Sequence, residues 1–182
     1  MSLKLNAKQL RGSEVLPDPA LLEHNDIYII LDDVLDTYNI GSIFRLADAV
    51  AAKKIYLCAG SATPPNHRIL KASVNTTGWV DWEYCETVKD AISKVKRQNS
   101  KVKIVAVEQS ATSVAYDKFD YQLPIALVVG NESVGMSKEV IDLCDGVVEL
   151  PMYGVNVSLN VMVSLGIVMY EVLEKATAQL GH

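Results

Sequence analysis

Hydrophobic and polar positions follow two rhythms along this chain. Short, continuous apolar runs stand between longer stretches in which apolar residues return every three or four positions. The first rhythm reads as strands buried on both faces, the second as amphipathic helices. Strands are therefore expected at Asp26–Asp32, Lys54–Cys58, Lys103–Val107, Ile125–Val129 and Gly146–Leu150. A more exposed one is expected at Trp79–Tyr84, where apolar and polar residues alternate. Helices are expected from an Asn39 cap through Ile43, Leu46, Ala47 and Val50, around Ile69–Val74, and over Thr87–Gln98. Two more follow, at Ser137–Leu143 and from a Ser158 cap to Ala176 or beyond. Strands separated by helices imply right-handed crossovers, so the fold class expected is α/β: a mostly parallel sheet with flanking helices and ligands at the strands' carboxyl ends.

Nothing in the pattern divides residues 26–182, which are expected to form a single domain, and residues 1–25 can form at most a short arm or helix. A content of 49% hydrophobic and 21% charged residues is ordinary for a globular protein. The longest apolar stretch, Val161–Tyr170, falls short of the about 20 residues a bilayer requires, and no signal pattern opens the chain. No membrane partner is expected. Three cysteines, Cys58, Cys85 and Cys144, are odd in number and unpaired by spacing, which fits reduced thiols in the cytoplasm. His24, His67 and His182 lie far apart, so no metal site is expected.

The net charge of −5 opposes indiscriminate nucleic-acid binding, because affinity for phosphates comes mainly from Lys and Arg. Lys53, Lys54, Arg68 and Lys71 could still form a local basic patch. The usual nucleotide signatures are missing: no Gly-x-Gly fingerprint, no phosphate loop and no Gly-x-Ser-x-Gly elbow occurs.

Three segments carry candidate chemistry. Asn39-Ile-Gly-Ser-Ile-Phe-Arg45 is a helix start in which Gly41 permits close approach and Arg45 projects from the same side. Taken alone, it is equally a capped helix with a surface Arg. Val129-Gly-Asn-Glu-Ser-Val-Gly-Met136 leaves a buried strand at the place where α/β proteins bind ligands. Leu150-Pro-Met-Tyr-Gly-Val-Asn-Val-Ser-Leu-Asn160 leads into the last helix, with free backbone N–H groups at its first turn.

In this order and spacing, the three segments resemble the motifs of the SpoU/TrmH family of the SPOUT methyltransferase superfamily. The resemblance extends to Lys71-Ala-Ser73 and Gly78-Trp-Val80 and covers about residues 26–175. It implies a C-terminal trefoil knot, a homodimer, and transfer of a methyl group from S-adenosyl-L-methionine (SAM) to an RNA ribose 2′-hydroxyl. It implies cofactor contacts at Val107, Glu108, Val129, Gly130, Leu150, Met152, Ser158 and Leu159. It makes Arg45 the catalytic group, with Asn39, Glu132, Ser158 and Asn160 around it.

A guanidinium stays protonated in proteins. Arg45 could accept a proton once a substrate phosphate perturbs it, or it could position phosphate and stabilise oxyanion charge, which is physically the better role. Thr37-Tyr38 stand where the family commonly has a Pro-containing turn, and Val161-Met162 where it often has Val-Ser; neither change touches a catalytic position. Without a sizeable N-terminal RNA-binding extension, tRNA is the expected substrate ahead of rRNA. The competing readings are an inactive RNA- or nucleotide-binding module on the same fold and a flavodoxin-like small-ligand protein. SAM binding separates the methyltransferase from the flavodoxin-like protein, and only methyl transfer to RNA separates it from the inactive module.

Overall fold

The computed structural model describes residues 23–179. The arm expected over residues 1–25 therefore falls almost wholly outside the described residues. Seven strands form one parallel sheet: β1 (Asn25–Asp32), β2 (Ala52–Cys58), β3 (Trp82–Cys85), β4 (Lys103–Val107), β5 (Val114–Ala115), β6 (Ile125–Val129) and β7 (Gly146–Glu149), in the order β3-β2-β1-β6-β4-β7-β5. The helices are α1 (Thr37–Ala49), α2 (His67–Ser73), α3 (Val88–Gln98), α4 (Lys138–Ile141) and α5 (Val161–Gln179).

Alternation along the central strands sends side chains to two cores. Ile27, Ile29 and Leu31 of β1 pack with Ile55, Leu57, Leu127 and Val129 under Ile40, Ile43 and Phe44 of α1 and Leu165, Val168, Met169 and Val172 of α5. Tyr28, Ile30, Tyr56, Ile104 and Val128 face Val88, Ala91, Ile92 and Val95 of α3. The result is a sheet covered on both faces, as continuous apolar strands require.

Several expectations need correction. β3 begins at Trp82, because Thr76–Gly78 form a short 3₁₀ turn and Trp79 is buried with its Nε1 donating to Asp48 Oδ1 at 2.7 Å. The two-residue β5, paired only with β7, has no counterpart among the expected strands. The cap of α1 is Asp36, whose carboxylate accepts from Tyr38 N, while Asn39 lies inside the first turn. Helix α5 starts at Val161, and its cap is Asn160 rather than Ser158: Asn160 Oδ1 accepts from Met162 N at 2.9 Å and Val163 N at 3.4 Å.

Gly41 does permit a close approach, but what approaches is α2. A Cβ there would lie 2.5 Å from Ala72 Cβ and 2.7 Å from Ile69 O. The expected basic patch also divides. Lys53 is paired with Asp26, and Lys54 with Asp81 and Glu83, at the amino ends of the strands, whereas Arg68 and Lys71 stand on α2.

Candidate active site at the carboxyl edge of the sheet

The loops that leave β4, β6 and β7 at their carboxyl ends surround a cavity of about 530 Å³ together with the start of α5. That volume lies in the range of small-molecule sites. Val107 and Glu108, Val129 and Gly130, Leu150 and Met152, and Ser158 and Leu159 all line it, as do Glu132 and Asn160. Asn39 and Arg45 are not part of the lining.

Asn39 is nevertheless tied to the cavity. It is buried, and its Nδ2 donates to Glu132 Oε1 at 2.9 Å, while its Oδ1 accepts from Asn160 Nδ2 at 3.0 Å. Glu132 also accepts from Asp36 N at 3.0 Å and Leu35 N at 3.1 Å. One residue from each of the three segments thus joins a single hydrogen-bonded chain. Partial burial pushes the Glu132 carboxyl up, but the bonds from Asn39 and from the backbone N–H groups of Leu35, Glu132 itself and Asp36 outweigh it and hold the carboxyl below its ordinary value. A carboxylate with its lone pairs so committed is an orienting group, and its first task is to fix Asn39. Arg45 stands apart from this chain, exposed on α1.

Other residues shape the site by tying the loops to one another. The Glu108 carboxylate accepts from Met136 N at 3.1 Å and Gln109 N at 3.0 Å, binding the β4 loop to the β6 loop. Gly135 has φ +65°, and a Cβ on it would meet Glu108 Oε2 at 2.6 Å. Asn131 Nδ2 donates to Asp33 O and Oδ2, and its Oδ1 accepts from Ser133 N and Val134 N. Gln109 Nε2 donates to Val157 O at 2.7 Å and pins the segment before α5 against the β4 loop. The signal available in sequence was the clustering of Asn, Asp and Gln just past strand ends; their partners lie far away along the chain.

Gly130 has a structural reason to be glycine. A Cβ there would lie 2.6 Å from Met136 Cγ and 2.7 Å from Gly135 C, so a larger residue displaces the β6 loop whatever binds beside it. The ionisable groups in the lining are Glu108, Glu132 and Glu149, with no Lys, Arg or His among them. Such a cavity suits a ligand with cationic groups and opposes a polyphosphate. S-adenosyl-L-methionine, with its sulfonium and ammonium, fits that donor set.

The model of the SpoU rRNA Methylase family matches residues 26–170, and the chain belongs to that family. It is 35% identical over 150 residues to the tRNA (guanosine(18)-2'-O)-methyltransferase of Aquifex aeolicus, covering 80% of this chain and 68% of the relative. It is 29% identical over 149 residues to the enzyme of the same name from Escherichia coli K12, covering 80% of this chain and 62% of the relative. The chain thus spans roughly two thirds of the length of these curated relatives, 68% and 62%. Among solved structures, the A. aeolicus TrmH/SpoU tRNA modifying enzyme superposes with a TM-score of 0.77 at 29% identity over 95% of this chain and 83% of that one. The AdoMet-bound rRNA methyltransferase from Sinorhizobium meliloti gives 0.76 at 28% identity, over 91% and 59%.

Proposed function

We propose that this protein is a SAM-dependent RNA 2′-O-ribose methyltransferase that acts in the cytoplasm, on tRNA ahead of rRNA. The observation that carries the reading is the Asn39–Glu132–Asn160 chain, which gathers all three motifs at a cavity suited to a cationic nucleoside. The names of the two curated relatives favour tRNA. Among the described residues, no helix is long and apolar enough to cross a membrane.

The bound cofactor would supply an electrophilic methyl on its sulfonium. Val107 and Glu108, Val129 and Gly130, Leu150 and Met152, and Ser158 and Leu159 would hold it, largely through backbone groups. Residues 26–182 act as one methyltransferase domain. Glu132 and Asn160 fix the Asn39 amide, and Ser158 orients ligand groups at the rim. Arg45 binds a substrate phosphate and stabilises charge developing on the 2′-oxygen, a role its planar fork suits better than that of a base.

The protein works as a homodimer. On α5, Val163, Ile167 and Tyr170 form an exposed apolar stripe one and two turns apart, and the neighbouring Tyr153, Val155 and Val157 are exposed as well. A stripe of this kind calls for a covering surface. Arg45 lies roughly 9 Å of helical rise from Asn39, which favours a site completed by a second copy. The knot belongs to the same reading: the segment between β7 and α5, pinned by Gln109, threads through the loops it crosses.

Calorimetry with SAM and methyl transfer to tRNA test the proposal. Arg45→Ala should cut transfer by about 10²-fold or more with SAM binding intact, and Arg45→Lys should rescue poorly. Light scattering should give twice the 19.9 kDa chain mass. A chain that binds no SAM, or a monomer that transfers methyl at full rate, would count against the reading.

A further inference from the structure

We infer that the joint outer face of α1 and α2 grips the RNA backbone, with one nucleotide seated in the hollow beside Lys71. This rests on the RNA-methyltransferase reading and names the surface that reading lacks. The chain carries 22 acidic and 17 basic residues, yet neither Thr37–Ala47 nor Ala59–Val80 contains a single Asp or Glu.

The fold brings these two segments together. Gly41 sets the backbone of α1 against α2 at Ile69 and Ala72. Asp48, two turns further along α1, accepts from Trp79 Nε1. Arg45 lies between these contacts on the same side of α1, so it rises beside the stretch running from Ile69 to Trp79. Arg45, Arg68 and Lys71 are all exposed. Among the described residues none of the three has a carboxylate partner, whereas Lys53, Lys54, Lys94, Lys96, Lys118, Lys138 and Lys175 each do.

Beside Lys71 lies a hollow of about 340 Å³ lined by Leu70, Lys71, Val74 and Asn75. Leu70 and Val74 give it an apolar wall for a sugar or base, and Lys71 a cationic rim for the adjoining phosphate. Helix α2 follows the loop leaving β2, so this face adjoins the edge of the sheet that carries the cavity. The cations Arg97 and Lys101, at the end of α3, lie towards the opposite edge.

The test is binding of mixed tRNA across a salt series, since phosphate contacts do not depend on which nucleotide is methylated. The Arg68→Ala/Lys71→Ala variant should lose about tenfold in affinity. Its dependence of log K on log salt should flatten by roughly 1.4–1.8, as loss of two phosphate contacts requires. Its SAM binding heat and thermal midpoint should match wild type, and Lys71→Glu should weaken tRNA further. Arg97→Ala/Lys101→Ala should bind tRNA as wild type does. Unchanged affinity in the first variant, or a larger loss in the second, overturns the inference even where the wild type methylates RNA. A wild type that transfers methyl to no RNA overturns the enzymatic reading instead.

Discussion

The two edges of the sheet use carboxylates in opposite ways. At the amino edge most meet ammonium groups: Asp26 faces Lys53 at 2.7 Å, while Asp81 and Glu83 flank Lys54 at 3.2 and 3.1 Å, with Lys94 also on Glu83. Asp145 adds a backbone N–H, that of Ile104, to its pairing with Lys96. At the carboxyl edge they meet N–H groups. Asp33 accepts from Gly60 N and Asn131, Glu108 from Met136 N and Gln109 N, and Glu132 from Leu35 N, Asp36 N and Asn39. A lysine is a flexible point charge whose pairing in water is screened and worth little. A backbone N–H is fixed by the chain, so a carboxylate that takes several of them fixes a loop. The amino edge pairs charges near the surface; the carboxyl edge holds three loops in one geometry.

That contrast can be broken at several points. The largest effect should come from Glu132→Gln, which keeps the shape but sets an NH₂ against donors that converge on a carboxylate. Methyl transfer should fall by about 10²-fold, the scale of losing one catalytic group, and denaturant melts should register about 1 kcal/mol.

Next in size is Gly135→Ala, with a Cβ at 2.6 Å from Glu108 Oε2 and φ +65°. It should cost about 1–2 kcal/mol, whereas Gly154→Ala, with nothing within 4 Å, should be near neutral. Equal costs at the two glycines would remove the argument for a loop held by Glu108.

The pH dependence has a definite sign. Folding holds the Glu132 carboxyl below its ordinary value of 4.5, so its contribution is present above that value and lost as pH falls through the folded one. The stability gap between wild type and Glu132→Gln should stay level down to about pH 5 and then close. Smallest is Glu83→Gln at the amino edge. The Lys94 hydrogen bond, with Lys54, holds Glu83 below its usual range too. Its stability effect should stay below about 1 kcal/mol and fade in about 1 M salt, while that of Glu132→Gln persists.

The central strands were legible because each is a continuous apolar run, and α3 because Val88, Ala91, Ile92 and Val95 fall on one face. β5 was not legible, since two residues are too few for any periodicity to register. The helix caps failed for a different reason. Asp36 and Asn39 are both good caps, and the choice is made by Glu132, which lies 93 positions away and draws the Asn39 side chain to itself. The same limit hid the split of the basic patch, because Asp81 and Glu83 reach Lys54 only when β3 pairs with β2. All eight residues expected to touch the cofactor line one cavity, whereas Arg45, expected to act on the substrate phosphate or oxyanion, does not.

Asn160 holds two appointments at once. Its oxygen starts α5, and its nitrogen steadies Asn39 across the mouth of the cavity. Aspartate would start the helix as well, but it would offer Asn39 Oδ1 an acceptor where a donor is needed. Selection for a sturdier helix and selection for turnover therefore pull this position towards different residues, and only the amide satisfies both. In a library screened for thermal survival alone, Asn160→Asp should pass unnoticed among the winners, and its cost would surface only when the same clones were asked to transfer a methyl group.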